Sequence, residues 1–195
     1  MIATHNTFTF KESTNKLYEF FSFLWRCQSK SLQEQYDSGI RFFDIRIFRK
    51  DSETWGFAHG LVNLQGGFSE LRTLYQTIRI KYPGAKCRIL LEKGSKVDKE
   101  LFKKELQQLN DEFEDFPEIV YQCVIKHNWE IVYSSGKDYC IIDYCYTPIL
   151  SGRSFWYNLT HIRFNTIKHY AEKHNPIITQ KMQEDNSNIY FMDFV

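Results

Sequence analysis

Long apolar runs are missing from this chain, so no segment is expected to cross a bilayer as a helix. Net charge is nearly absent too. The 25 Lys and Arg meet 24 Asp and Glu, a formal +1, which leaves no global field to attract nucleic acid or an acidic partner. Cys27, Cys87, Cys123, Cys140 and Cys145 form no CxxC pair and no metal-ligand spacing. Such an odd, scattered set reads as buried free thiols rather than a disulfide framework. No repeat, low-complexity tract or linker divides the 195 residues, which suffice for one substantial core but not comfortably for two, so one domain over 1–195 is expected. MIATHN lacks a basic region followed by an apolar stretch, so no signal peptide is expected. The reading is a soluble protein, either secreted after trimming or cytoplasmic, and monomeric.

Aromatic residues, in contrast, are abundant: 17 Phe, 12 Tyr and 4 Trp make up 17% of the chain. That much ring surface fills a large core, forms a binding face, or both. Short apolar runs at 2–5, 40–48, 54–59, 86–92, 118–125, 139–144 and 189–194 predict strands. Helices are predicted over 11–24, 31–38, 67–81, 98–110, 163–173 and 176–184. In the third of these, apolar residues at 68, 71, 74, 75 and 78 follow the helical period, and Tyr82-Pro83-Gly84 marks its end.

Strands alternating with helices imply βαβ units, and the expected fold is α/β: a small, irregular or incomplete TIM-type (β/α) barrel, mainly parallel. Outer helices are expected to be missing around 111–138, where the helical signal is poor. An open doubly wound sheet is the alternative, but Ala3-Thr4-His5-Asn6 is not the Gly-rich phosphate turn it would want.

RFFDIRIF, residues 41–48, reads as a strand covered on both faces, yet it carries Asp44 and Arg46 two positions apart. Alternation points both side chains to one side. A structural ion pair and a functional pair are both open at this level, since a buried pair adds little net stability. Other strand ends are polar as well: His5-Asn6, His59-Gly60, Glu92-Lys93 and Asp193. In a parallel barrel all carboxyl ends lie on one rim, so these residues converge and resemble an acid–base pair beside a phosphate-binding cation.

ATHNTF, WRCQSKSLQEQYDSGIRFFDIRIF and FAHGLV, in that order over residues 2 to about 65, resemble the catalytic X region of phosphatidylinositol-specific phospholipases C. That family shows a GTHD- or GSHN-like motif, a Q-S-x-S/T-x-x-x-Q-L helix leading to G-x-R-x-x-D-x-R, and an H-G motif. Ile89-Leu90-Leu91-Glu92 and Met192-Asp193-Phe194 extend the likeness more weakly.

The resemblance implies roles. His5 matches the general base acting on the inositol 2-hydroxyl, Asp193 the carboxylate orienting it, and His59 the general acid for the leaving diacylglycerol oxygen. Arg46 stands where metal-independent bacterial members carry arginine and calcium-dependent members a carboxylate. No cofactor is therefore expected, and calcium is disfavoured. Asp44 orients Arg46. Two positions depart from the pattern: Asn6 replaces the aspartate of bacterial members, and Glu92 resembles a calcium ligand of eukaryotic ones. Asn6, Glu92, Lys93, Asp143, Tyr144 and Tyr146 are the candidates for holding the inositol ring. Phe20, Phe21, Phe23 and Trp156 are the candidates for touching a membrane surface, where interfacial aromatics dock without a basic patch.

The resulting expectation is a phospholipase C acting on phosphatidylinositol or a related inositol lipid, giving diacylglycerol and a cyclic inositol phosphate. The alternatives are a phosphodiesterase with another headgroup and a catalytically weak lipid-headgroup binding module on the same barrel.

Overall fold

Side chains along RFFDIRIF alternate between two different environments. In the computed structural model, which describes residues 1–113, 120–125, 128–133, 140–144, 166–184 and 188–195, this segment is strand β2, Phe42–Arg49. Phe43, Ile45 and Ile47 belong to the main hydrophobic core. Phe42, Asp44 and Arg46 therefore face the other side.

The other elements are β1 (Ile2–Thr4), α1 (Lys16–Phe20), α2 (Leu32–Asp37), β3 (Trp55–His59), β4 (Val62–Asn63), α3 (Leu71–Lys81), β5 (Lys86–Lys93) and α4 (Lys96–Glu112). They are followed by β6 (Val120–Ile125), β7 (Asn128–Tyr133), β8 (Cys140–Tyr144), α5 (Ile167–Glu184) and β9 (Asn188–Met192). The sheet runs β7-β6-β5-β2-β1-β9-β8, with β3 and β4 branching from β2. Pairs β5–β6, β2–β5, β1–β2, β1–β9 and β8–β9 are parallel. Pairs β2–β3, β3–β4 and β6–β7 are antiparallel. The fold is thus mixed α/β with a mostly parallel sheet, as expected. Among the described residues the sheet is open, since no pairing joins β7 to β8.

Helices α3 and α4 cover the outer face. Leu71, Leu74, Tyr75 and Ile78 of the first, with Phe102, Leu106 and Leu109 of the second, pack on Cys87, Ile89 and Leu91 of β5 and the outer residues of β2. Each such side chain contributes on the order of 1.5–3 kcal/mol when fully buried. The opposite face has an apolar base, where Ala3, Phe42, Ile189 and Phe191 cluster. Above them come Asp44, Arg88, Arg46, Glu92 and Asp193. A concave face that turns from apolar to charged along the strands is what places a site there.

Several elements differ from expectation for identifiable reasons. The segment predicted as one helix over 11–24 is broken. A 3₁₀ turn at Thr7–Phe10 precedes α1, and Asn15 caps α1 by accepting from Leu17 N at 2.9 Å. Helix α4 starts at Lys96 rather than 98 because Ser95 and Asp98 form a reciprocal capping box. The two helices predicted around 163–184 are one helix, α5, that continues through Pro176. Proline removes a hydrogen bond there, but Ile178 packs on Tyr190 and Met192, and Asn175 Nδ2 donates to Asp193 O at 2.9 Å. Tertiary packing outweighs the local cost. Strand β7 was not expected at all; it closes a hairpin with β6 inside the region predicted to be poor in helix.

Candidate functional site

Parallel strands β1, β2, β5 and β9 end on the same side, and their terminal residues form one hydrogen-bonded group. His5 follows β1 directly and Asp193 follows β9. The two are joined at 2.7 Å, from His5 Nδ1 to Asp193 Oδ1. A carboxylate only accepts, so Nδ1 carries the hydrogen and Nε2 keeps its lone pair. Arg46 Nη2 reaches that lone pair at 2.6 Å.

Arg46 is the centre of the arrangement. Its Nε donates to Asp44 Oδ2 at 3.1 Å and its Nη1 to Glu92 Oε1 at 3.0 Å. Asp44, fully buried, is held on both oxygens. Arg88 Nε donates to Oδ1 at 3.1 Å, and Asn6 N donates to Oδ2 at 3.0 Å. The Arg88 guanidinium stacks over Phe191 at 3.8 Å. Burial disfavours the Asp44 charge, but Arg46, Arg88 and His5 outweigh it and hold the carboxyl well below its usual range. Burial likewise opposes the Arg46 charge, and Asp44 and Glu92 overcome it, so the guanidinium is held more firmly protonated than in water. The carboxylates that a calcium ion would need are thus already bound to Arg46. A hard cation seeking six or more oxygens does not fit this set.

His59 faces His5 from the end of β3, with ring centroids 6.0 Å apart and planes nearly perpendicular at 88°. Its Nδ1 donates to Trp25 O at 2.6 Å. A carbonyl can only accept, so Nε2 is the free nitrogen. Burial, then the Arg46 guanidinium and the neighbouring His5 ring, push the His59 pKa down to about 4. In an unfolded chain the group titrates near about 6.5. Between these values the unfolded state binds the extra proton, so stability falls as pH drops from 6.5 toward 4 and is independent of His59 above that window. Urea unfolding of His59→Gln should accordingly lose less stability than the unmutated chain between pH 7 and 5. Parallel pH profiles for the two would contradict this.

Asn6 sits in a left-handed turn, φ 46°, which asparagine tolerates better than most residues. The turn delivers its backbone N–H to Asp44. Its side-chain Oδ1 and Nδ2 are buried and, among the described residues, have no hydrogen-bond partner. Buried amides without partners are uncommon and mark a place for a ligand group or water.

The structure brings His5, Asp44, Arg46, His59, Glu92, Asp193 and Asn6 together. Phe20, Phe21 and Phe23 are exposed on α1 and the 3₁₀ turn Ser22–Leu24 after it. Leu17, Tyr18 and Leu24 in the same stretch are exposed as well, and buried Trp25 follows them, its Nε1 donating to Tyr18 O at 2.7 Å. The remaining candidates are untouched by these observations. Lys93, Asp143 and Tyr144 are described only as strand backbone, and Tyr146 and Trp156 lie outside the described residues.

Two residues of the site, Arg88 and Gln28, were not singled out by the sequence reading, and a third residue, Cys27, lies against the site without belonging to its hydrogen-bonded group. Arg88 stands on the inner face of β5, opposite Asp44 in the β2–β5 register. Its two-residue offset from Leu90 and four-residue offset from Glu92 were the available signal. Gln28 is fully buried; its Nε2 donates to His5 O at 3.1 Å and Met192 O at 2.9 Å, stitching the ends of β1 and β9 together. Cys27, its neighbour, lies beside both histidines.

The sequence matches no family model and no curated protein. Solved structures do match the fold. The phosphatidylinositol-specific phospholipase C of Listeria monocytogenes superposes over 100% of this chain and 87% of its own, with a TM-score of 0.62 at 17% identity. The phosphatidylinositol-specific phospholipase C of Staphylococcus aureus superposes over 100% of this chain and 85% of its own, with a TM-score of 0.63 at 15% identity. At such identities the likeness is one of fold.

Proposed function

We propose that the chain is a metal-independent phospholipase C-type lyase that cleaves phosphatidylinositol or a related inositol lipid, on a barrel that is only partly closed. The observation that carries this reading is the oriented His5–Asp193 pair, with Arg46 against it and His59 facing it across a short gap. A phosphodiester placed in that gap has a base on one side, an acid on the other and a fixed cation beside its oxygens.

In this reading the inositol 2-hydroxyl displaces Arg46 from His5 Nε2 and gives up its proton there. The 2-oxygen bonds to phosphorus while the bond from phosphorus to the diacylglycerol oxygen breaks. Arg46 donates to the phosphoryl oxygens as charge develops on them, and Asp44 and Glu92 hold it in place. His59 protonates the departing oxygen from Nε2. In the unliganded site His59 is too acidic to carry that proton at neutral pH. A bound phosphodiester supplies a negative charge between Arg46 and His59, which raises the His59 pKa toward the working range. The amide of Asn6 offers a hydrogen bond, not a charge, where bacterial members carry aspartate. Lys93, Asp143, Tyr144 and Tyr146 complete the pocket for the inositol ring. Phe20, Phe21, Phe23 and Trp156 rest at the headgroup level of the bilayer, and the protein acts as a monomer.

The second reading, a headgroup-binding module on the same fold, draws on the low His59 pKa and the uncharged Asn6. Phosphatidylinositol vesicles separate the two. The enzyme should release cyclic inositol phosphate with chelator present. His59→Ala should lower turnover about 10²–10⁴-fold while vesicle binding is unchanged. Vesicle binding without any cyclic product, with or without calcium, would establish the binding module instead. Cyclic product from a glycosylated inositol lipid but not from phosphatidylinositol would move the headgroup assignment.

A further inference from the structure

Cys27 takes no part in the chemistry proposed above, yet it lies against the base and the acid. It is 1% exposed and not disulfide-bonded. Its Sγ is 3.5 Å from Trp25 O and 3.9 Å from His59 Nδ1. A ring nitrogen of His5, the Cys27 sulfur and a carboxylate oxygen of Asp193 lie within 4.8 Å of one another. One nitrogen, one sulfur and one oxygen make a donor set for a thiophilic cation. Zinc takes such donors at about 2.0–2.3 Å in a tetrahedral array, whereas calcium takes oxygens alone. An independent feature points the same way. Asp193 Oδ2 is buried with no hydrogen-bond partner among the described residues, on a residue that is 1% exposed. That atom is a carboxylate oxygen with spare acceptor capacity and no donor to use it among the described residues.

We propose that His5, Cys27 and Asp193 form an inhibitory binding site for zinc or another thiophilic divalent cation, with the fourth position open to water. The donors lie within 4.8 Å of one another, and a tetrahedral site would draw them to roughly 3.3–3.8 Å. On binding, the Cys27 thiol loses its proton to solvent and its sulfur bonds to the metal. The metal takes His5 either at Nε2, displacing Arg46, or at Nδ1, in which case the Nδ1 hydrogen moves to Nε2 as the bond to Asp193 is displaced. In both cases the Nε2 lone pair that receives the substrate's proton is used up. The other buried thiol described, Cys87, lies in the outer core among apolar residues, and burial pushes it up to about 12. It offers a metal neither partner nor thiolate.

Inhibition rests on the phospholipase reading, but metal binding does not, and the test separates them. Cadmium is the spectroscopic probe, because its thiolate complexes absorb in the ultraviolet. The purified chain should show this band, saturating at one equivalent, and zinc should compete it away. Zinc at ten times its dissociation constant should lower phosphatidylinositol turnover about tenfold, with chelator restoring it. Calcium should do neither. Cys27→Ser and Cys27→Ala should both lose the band and the inhibition while keeping turnover. Absence of the band from the unmutated chain, or its persistence in both variants, overturns the site whatever the turnover. A band that depends on Cys27 in a protein without turnover would uphold the metal site and remove only the phospholipase reading.

Discussion

Arg46→Ala is expected to cut phosphatidylinositol turnover in the absence of metal by about 10²–10³-fold or more, the usual cost of removing a donor aimed at developing charge. The loss here should lie at the upper end. Arg46 supplies a full charge rather than a dipole, and its Nη2 also meets His5 Nε2, so base and cation are disturbed together. The fold should survive, because Asp44 keeps Arg88 and the Asn6 N–H as partners. Arg46→Lys should recover little, since an ammonium cannot span Asp44, Glu92 and the phosphate with one planar fork. Arg46→Asp should likewise be inactive without calcium. Release of cyclic inositol phosphate, measured with circular dichroism as a folding control, checks all three. Retained metal-free turnover in both Arg46→Ala and Arg46→Asp would sink the proposed mechanism.

Asp44→Ala is the largest stability effect expected. The substitution leaves Arg46 and Arg88 without the carboxylate they share, both on the inner face and with Arg88 almost fully buried. Breaking a buried pair from one side costs roughly 3–5 kcal/mol. The backbone N–H of Asn6 loses its acceptor as well, which adds to the cost. Asp44→Asn keeps one acceptor and should cost less. Combining Asp44→Ala with Arg88→Met should recover part of the loss, because the buried charge is removed along with its partner. Urea denaturation at pH 7 measures each. A loss below about 1 kcal/mol in Asp44→Ala would mean that the pair is far more hydrated than its burial implies.

Much of this site was legible before any coordinates. Asp44 and Arg46 sit two apart in a strand, so alternation alone puts them on one side. His5 ends one predicted strand and Asp193 lies near the end of another, and parallel strands carry such ends to one rim. His59 was named as well, but the parallel rule does not place it, because β3 runs antiparallel to β2. Arg88 was not legible in the same way. It joins Asp44 only because β5 pairs with β2 in a register that sets 44 beside 88, and no local pattern encodes a register between distant strands. Gln28 and Cys27 come from an irregular segment whose path depends on the hydrogen bonds from Cys27 N and Gln28 N to Thr9 Oγ1 at 3.0 and 2.9 Å. Periodicity has nothing to say about such a segment. Pro176 misled in the opposite sense, because local chemistry predicted a break that packing on β9 overrides.

The hydrogen bond between His5 and Asp193 joins residues 188 positions apart, and this bears on the order of folding. Strand β1 has only β2 and β9 as partners, so its place in the sheet is completed by the last strand of the chain. Contacts of such sequence separation carry a large loop-closure entropy and form late. Helices α3 and α4 and the β2–β5 pair can condense first around the outer core. The oriented histidine must then appear with, and not before, the docking of β9. During refolding, secondary structure and burial of Trp55 in that core should therefore be regained ahead of activity, and the delay between them measures the closing of the chain's two ends.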